Sequence, residues 1–299
     1  EKAEQGYAHL GYKSPLLELT RQQAGALEAA LPDAKCFIAM RCWHPFASEA
    51  ARAVKQYDPD RILLLPLYPQ FSTTTSGSAI ADWHDAAARA GLVKPTTTIC
   101  CFYDDPAYVG AMAALVRRGI ASARAELPPE VPLRLLFSAH GLPESIIKAG
   151  DPYQQEVEDS AAAVLAALGP PSPGGYQDHL VCYQSRATPQ QWLEPSTDQA
   201  IEQAAKDRTA VLVIPIAFVS DHIETLVELD IDYRELAAHH HLPGYFRAPV
   251  PNADPAFIAA LAGLASRALA SGQALCSHRG KRACNPRHAD CPWSRHDDR

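Results

Sequence analysis

Two successive series of short apolar runs, each followed by an amphipathic stretch, meet at Leu127–Val131, where Pro128 and Pro129 break the pattern. In the first series the strand candidates are Cys36–Met40, Arg61–Leu67 and Thr97–Phe102, with helical periodicity at Ser14–Ala30, Phe46–Tyr57, Gly77–Ala90 and Pro106–Leu127. In the second, strands are predicted at Leu133–Phe137, His179–Tyr183 and Ala210–Val219, with a short extended piece at Tyr245–Ala248. Helices are predicted there at Pro152–Leu168, Thr197–Ala205, Asp221–Leu229 and Ala253–Ala270. Apolar runs separated by amphipathic helices imply parallel sheets covered on both faces. The fold class that follows is α/β, with two doubly wound parallel-sheet domains. The first series is one strand short of the second, so a further strand is expected before Ser14, in an N-terminal βα segment outside this sequence. The predicted division is 1–129 and 130–252, then a C-terminal helix over 253–272 and a cysteine-containing tail over 273–299. Ligands of such sheets sit beyond the C-terminal ends of the strands.

Composition narrows the function classes. Apolar residues make up 47% and charged residues 20% of the 299 positions, a balance that can bury a sizeable core. A formal charge of −7 argues against nonspecific nucleic-acid binding, and no nucleic acid is expected as a partner. The longest apolar run, Val211–Val219, contains Pro215 and falls short of the roughly 18–20 residues of a membrane span. Eight cysteines, at positions 36, 42, 100, 101, 182, 276, 284 and 291, are too sparse for a disulfide scaffold and point to a reducing, cytoplasmic setting. No Gly-x-Gly-x-x-Gly follows a strand and there is no Gly-x-x-x-x-Gly-Lys loop, so no nucleotide cofactor is expected.

Three strand ends carry chemistry. His140 follows the strand Leu133–Phe137 and precedes Gly141 and Pro143, which places an imidazole on a turn at the sheet edge. Its ordinary pKa of about 6.5 suits proton transfer and its neutral form suits a metal; the plainer reading is a histidine that ties down the turn. Past the strand Ala210–Val219, Ser220 is the expected N-cap of a helix that carries Asp221, Glu224 and Glu228 at i, i+3 and i+7. Stacked acids repel unless protons or a hard divalent cation lie among them; the alternative is a solvated acidic face. The third end runs from Pro66 through Tyr68, Gln70, Phe71 and Ser72 to Ser78. It offers hydroxyls and an amide beside aromatics, suited to a flat ligand with polar edges, or simply a turn with helix caps.

These residues fall within a longer set of motifs. In order they are Gly11-Tyr12-Lys13-Ser14-Pro15-Leu16, Met40-Arg41-Cys42-Trp43-His44-Pro45, Leu67-Tyr68-Pro69-Gln70-Phe71-Ser72, Ser138-Ala139-His140-Gly141-Leu142-Pro143 and Gly150-Asp151-Pro152-Tyr153. Tyr183-Gln184-Ser185-Arg186, Trp192-Leu193 and Ser220-Asp221-His222-Ile223-Glu224-Thr225-Leu226 complete it. The chain resembles the ferrochelatases from about Tyr7 to Arg267. The resemblance implies two similar Rossmann-like domains of the chelatase type, with a porphyrin held in the cleft between them. It implies insertion of Fe(II) into protoporphyrin IX with release of two protons, the last step of heme biosynthesis. Porphyrin and ferrous iron are then substrates. Peripheral contact with the inner face of the cell membrane is expected through the lip of the cleft, and the chain is expected as a monomer or homodimer.

By the same resemblance His140 matches the catalytic histidine and Glu224 the carboxylate facing it across the macrocycle. Asp221, His222 and Glu228 match a polar path leading away from that carboxylate, and with His140 and Glu224 form the expected iron-handling set. Ser14 matches a contact to a porphyrin propionate, Arg41 an active-site arginine and Trp192 an aromatic of the porphyrin site, while Tyr68 and Ser72 belong to a loop beside it. Departures are Cys42 in place of a tyrosine, Ala187-Thr188 where a residue followed by Gly is usual, and Tyr12 where Gly is common. Rival readings are a chelatase for another tetrapyrrole such as coproporphyrin, or for cobalt, and a noncatalytic heme-binding relative.

The tail holds Cys276, Cys284 and Cys291 with spacing C-x₇-C-x₆-C among Arg279, Lys281, Arg282 and Arg287. Nearby cations favour thiolates. Some ferrochelatases carry a [2Fe–2S] cluster on three C-terminal cysteines and one from the body, and this tail resembles that arrangement. Four thiolates are needed. In one branch of the family the body cysteine lies where this chain has Thr73, so the expected donor is Cys101, with Cys100 as the alternative, because successive strand residues point to opposite faces. A zinc site using His278 or His288, and free thiols, are the other possibilities.

Overall fold

The computed structural model describes residues 8, 10–185 and 189–295. In chain order its elements are helix α1 (Leu16–Ala30), α2 (Ala47–Tyr57), strand β1 (Ile62–Leu64), a π-helical turn (Thr73–Gly77) leading into α3 (Ser78–Ala90), β2 (Thr96–Ile99), α4 (Pro106–Glu126) and β3 (Leu133–His140). There follow α5 (Glu144–Lys148), α6 (Tyr153–Leu168), β4 (Asp178–Gln184), α7 (Thr197–Lys206), β5 (Ala210–Pro215), a π-helical segment (Glu224–Asp232) and α8 (Tyr233–His239). The chain continues through β6 (Tyr245–Arg247), α9 (Pro255–Ser271) and β7 (Leu275–Cys276) to a 3₁₀ turn, Pro292–Arg295.

The strands form two all-parallel sheets, ordered β1-β2-β7 and β4-β3-β5-β6. The expected α/β class with two parallel sheets is therefore what the chain forms. Parallel neighbours need crossover connections, and helices supply them. Several helices start on local caps that the sequence encodes. Ser196 accepts from the Gln199 amide while the Gln199 side chain accepts from Ser196, closing a capping box on α7. Asp254 accepts from the Ala256 amide, with Pro255 at the first helical position of α9.

Packing divides the chain into two compact units, and they do not split at residue 129. One takes the chain up to Leu19 with Val109–Ile147 and Val157–Asn252; the other takes Thr20–Tyr108, Lys148–Glu156 and everything from Ala253 onward. Helix α4 shows why. Gly119 lies so close to β5 that a Cβ there would sit 3.1 Å from the Leu212 methyls, so this helix covers the second sheet although it follows β2 in sequence. The segment from Ala253 returns to the first sheet, where β7 pairs with β2.

The second-sheet unit has a core of Leu136, Cys182, Ile201, Val211, Val213, Leu229 and Tyr233 between the sheet, α7 and α8. At about 1.5–3 kcal/mol for each fully buried aliphatic side chain, this cluster outweighs any single polar contact near it. In the first-sheet unit α2 and α3 pack Ala51, Val54 and Trp83 against Ile62. A separate cluster holds Phe71, Cys100, Cys101, Tyr103 and Leu275, with Trp293 of the tail against it.

Several predicted elements differ, and the strand predicted at Arg61–Leu67 is Ile62–Leu64 while that predicted at Ala210–Val219 ends at Pro215. Cys36–Met40 is not a strand: only Met40 makes an isolated bridge, to Phe46, and among the described residues no strand ladders beside it. The strand predicted at Thr97–Phe102 ends at Ile99. The helix predicted at Asp221–Leu229 starts at Ile223, winds as a π-helix from Glu224 and does not use Ser220 as its cap. Arg186 and the Ala187-Thr188 departure lie outside the described residues. No helix among the described residues is long and apolar enough to cross a membrane.

Candidate active site and a buried thiol group

His140 is the last residue of β3 rather than a residue beyond it. It pairs in register with Gln184 at the end of β4. The chain leaves β3 through Gly141, whose backbone N–H donates to the Gln184 carbonyl at 2.7 Å. A Cβ on residue 141 would lie 2.9 Å from that carbonyl oxygen and 3.4 Å from the Trp192 ring. Only glycine lets the chain turn here with Trp192 against it. Trp192 is fixed in turn by its bridge to Pro143 and by the Leu193 amide donating to the Leu142 carbonyl. Two residues singled out separately in the sequence are thus brought to one strand end.

The His140 Nδ1–H donates to Glu224 Oε2 at 3.1 Å. In the neutral ring this tautomer puts the basic lone pair on Nε2. Glu224 opens the π-helical segment, and its Oε2 also lies 3.7 Å from His222 Nε2, while His222 Nδ1 donates to the Ser220 carbonyl. Burial pushes the Glu224 carboxyl upward, but the hydrogen bonds and charges of His140 and His222 outweigh it and hold it far below the usual carboxylate range. Burial likewise opposes charge on His140, yet Glu224 and, behind it, Glu228 raise its pKa above the ordinary histidine value.

The other two acids do not stack with Glu224 as one open face. Asp221 precedes the helix and turns to Arg247, with Oδ1 3.2 Å from the guanidinium. It also accepts from Thr225 Oγ1 and Asn252 Nδ2, both at 2.9 Å. Arg247 is itself clamped by Asp230 through bonds of 2.7 and 2.8 Å. Glu228 accepts from Gln184 Nε2 at 3.1 Å, from the Ser185 amide at 2.9 Å, from Tyr233 Oη at 3.2 Å and from Ser185 Oγ. A carboxylate has about four lone-pair sites, so Glu228 is saturated. Of the expected iron-handling set, the structure brings His140, His222 and Glu224 together, whereas Asp221 and Glu228 each bond other partners. Arg247 and Asn252 were missed. No local spacing links Arg247, on an edge strand, to an acid 26 positions earlier.

The remaining candidates are placed as follows. Ser14 accepts from the Leu16 amide at 3.3 Å, at the start of α1. Arg41 is exposed and reaches Asp82 at 3.3 Å and Ser78 at 3.4 Å. Tyr68 is 37% exposed. Ser72 is not available to a ligand: it is fully buried, donates to Asp151 at 3.0 Å and accepts from the Thr74 amide. Asp151 takes the Thr73 amide and hydroxyl as well, each at 2.7 Å. The hydroxyl run 72–74 therefore pins the loop from inside.

The first-sheet unit holds the second constellation. Cys100 and Cys101 are both buried with their sulfurs 3.4 Å apart. β2 ends at Ile99, so the alternation expected to part them has already stopped. Cys284 Sγ lies 3.0 Å from Cys291 Sγ and within 4.8 Å of Cys101 Sγ. Glu156, on the first turn of α6, is 1% exposed. One of its oxygens accepts from the Phe71 amide at 2.7 Å and the other lies 3.0 Å from Cys284 Sγ. Burial keeps the proton on Glu156, well above the carboxylate range. Hydrogen bonds with Cys101 and Cys291 lower the pKa of the Cys284 thiol below its ordinary value against the opposing effect of burial, helped by Glu156 and nearby Arg282. Among the described residues, Cys101, Glu156 and Cys284 bring three potential metal-ligand atoms within 4.8 Å of one another. Glu156 was missed, though a signal existed: Tyr153, Val157 and Ser160 share its buried helix face. His278 is spent on Asp104 and is not part of this group.

An imidazole–carboxylate pair at the C-terminal end of a parallel sheet is the setting of an α/β enzyme with acid–base chemistry. A family model described as Ferrochelatase matches residues 1–269. The chain is 47% identical over 273 residues to the ferrochelatase of Phenylobacterium zucineum, covering 89% of this chain and 76% of that protein. It is 41% identical over 296 residues to that of Hyphomonas neptunium, covering 96% and 79%. The chain belongs to the ferrochelatase family, and its activity is insertion of iron into a porphyrin, the final step of heme biosynthesis. The fold is also that of SirB from Bacillus subtilis, solved with Fe³⁺ (TM-score 0.57, 14% identity, covering 85% of this chain and 91% of that one). A second solved structure of this fold is CbiX, titled the terminal enzyme for biosynthesis of siroheme in denitrifying bacteria (TM-score 0.52, 18% identity, covering 84% and 92%).

Proposed function

We propose that His140 and Glu224 act as one unit in the metallation of protoporphyrin IX by Fe(II), with His140 Nε2 taking the pyrrole protons and Glu224 stabilising the imidazolium that forms. The observation that carries this is the 3.1 Å bond from His140 Nδ1 to a carboxylate held ionised. Metallation replaces two pyrrole N–H bonds by bonds to iron, so two protons must leave. Glu224 sits too far below the usual range to store one; it fixes the ring and the charge. His140 is 39% exposed at the side chain, which gives each accepted proton a way out to water. Trp192 beside Gly141 supplies an aromatic wall next to the base, and Ser14, Arg41 and Tyr68 are the proposed porphyrin contacts from elsewhere in the chain. His222, 3.7 Å from Glu224, extends this polar group.

A double-mutant cycle tests the unit. His140→Ala, Glu224→Gln and the pair are compared in an Fe(II) insertion assay. If the two act together, the double variant loses about as much as His140→Ala alone. Multiplying losses would mean independent roles.

The thiol group is chemically suited to a [2Fe–2S] cluster. Sulfur donors lie side by side and buried, and Cys101 and Cys284 bring their ligand atoms within 4.8 Å of each other. Cys101 and Cys284 are its centre. When bound, such a cluster supplies a redox-active cross-link between the tail and the end of β2. Peripheral membrane contact at the cytoplasmic face is part of the same proposal, because the substrate is a hydrophobic macrocycle. Co-sedimentation with anionic liposomes checks it: the protein should pellet with the vesicles, and a protein that stays in the supernatant sinks the idea.

A further inference from the structure

We infer that the tail metal site is made by Cys100, Cys101, Cys284 and Cys291, two thiols from the end of β2 and two from the tail, and that Cys276 is not a ligand. This rests on the cluster reading above and disagrees with the arrangement of three tail cysteines and one body cysteine.

The reason lies in the strand register. Cys276 is the last residue of β7 and pairs with Ile99 of β2. Partners in register point to the same face of a sheet, and the next residue along points to the other. Cys276 therefore shares the face of Ile99, and its sulfur lies 3.1 Å from Ser271 Oγ, 3.7 Å from Gln273 Oε1 and 4.0 Å from the Ala268 carbonyl, all around the end of α9. Its backbone is held as well, since its carbonyl accepts from the Cys100 amide at 2.9 Å. Turning this thiol toward the others would require the strand to change face, which a side-chain rotation cannot do.

The other four sulfurs form a continuous run. Cys100 and Cys101 are 3.4 Å apart, the sulfurs of Cys101 and Cys284 lie within 4.8 Å of each other, and Cys284 and Cys291 are 3.0 Å apart. This gives one pair from the body and one from the tail, the number that a cluster with two irons takes. On ligation each thiol gives its proton to solvent and binds iron as thiolate, with no change in the oxidation state of either. Glu156 lies within 4.8 Å of Cys101 and Cys284, and we place it beside the four sulfurs because such clusters are held by thiolates. One of its oxygens already holds the Phe71 amide and the other the Cys284 sulfur. It joins the sulfur site to the loop carrying Tyr68 and Ser72.

The test compares the wild type with Cys276→Ser and Cys100→Ala, all purified anaerobically. Iron, acid-labile sulfide, visible absorbance and the electron paramagnetic resonance signal of the reduced protein are read, with circular dichroism and Tm as controls. The wild type and Cys276→Ser should each carry about two irons and two sulfides per chain, and Cys100→Ala less than about a tenth of that. Cluster loss in a folded Cys276→Ser variant, or full retention in Cys100→Ala, overturns the ligand assignment. If the alanine variant does not fold, Cys100→Ser replaces it; its oxygen must then abolish or shift the resonance signal, and an unchanged signal overturns the assignment. A wild type that lacks iron and sulfide even after reconstitution instead overturns the cluster reading itself.

Discussion

Replacing His140 with Ala is expected to lower kcat for iron insertion by at least about 100-fold, the lower end of what a positioned acid–base group contributes, with porphyrin affinity nearly unchanged. The two effects separate because different parts of the strand end supply them. The imidazole contributes Nε2, the only basic nitrogen of the pair. The neighbouring wall does not depend on it: Trp192 is seated by Gly141 and by the flanking backbone bonds from the Leu193 amide to the Leu142 carbonyl and from the Glu144 amide to the Gln191 carbonyl. The fold is also insensitive to the side chain, because β3 is held on both sides by β4 and β5 over its whole length up to Ser138. Porphyrin binding followed by fluorescence quenching and single-turnover metallation measure the two quantities independently. A variant that keeps more than about a tenth of the wild-type rate removes His140 from the proton-transfer role.

What the sequence made legible follows a physical division. The two parallel sheets were readable because fully buried strands are continuous apolar runs, and Leu133–Phe137 and Ala210–Pro215 are both nearly solid examples. His140 and Glu224 were readable because chemistry concentrates at strand ends. The failures arise where tertiary partners override local pattern. Asp221, Glu224 and Glu228 have α-helical spacing, but Arg247 and Asn252 draw Asp221 away and the following turns widen into a π-helix with i→i+5 bonds. Cys100 and Cys101 have strand spacing, but the ladder ends one residue earlier. Ser72 sits in a polar loop, and only the fold reveals that buried Asp151 claims its hydroxyl. In each case the deciding contact comes from a residue 26 or more positions away or from the end of a ladder, neither of which a local window contains.

Glu224→Gln should combine a rate loss on the order of 100-fold with a shift of the acid limb of kcat to lower pH. The direction follows from the pair. In the wild type the basic form of His140 is available only above a pKa that Glu224 has raised, so activity falls as pH drops through that raised value. Glutamine keeps the shape and an acceptor oxygen but removes the charge. Burial, which opposes the imidazolium, then weighs more, and neutral His140 persists to lower pH. The rate at the plateau still falls, because the imidazolium formed in the reaction has lost its counter-charge. Stability should move with the same pair and with a defined sign. The depressed carboxyl contributes above its ordinary value of 4.5, and that contribution is lost as pH falls through the depressed one; the raised imidazole contributes below 6.5, and that contribution is lost as pH rises through the raised one. The Tm difference between wild type and Glu224→Gln should therefore be largest between about pH 4.5 and 6.5 and shrink above it. A solvated acidic helix face would give neither the limb shift nor the Tm window, so a Glu224→Gln enzyme with an unmoved acid limb would show that Glu224 and His140 do not titrate as partners.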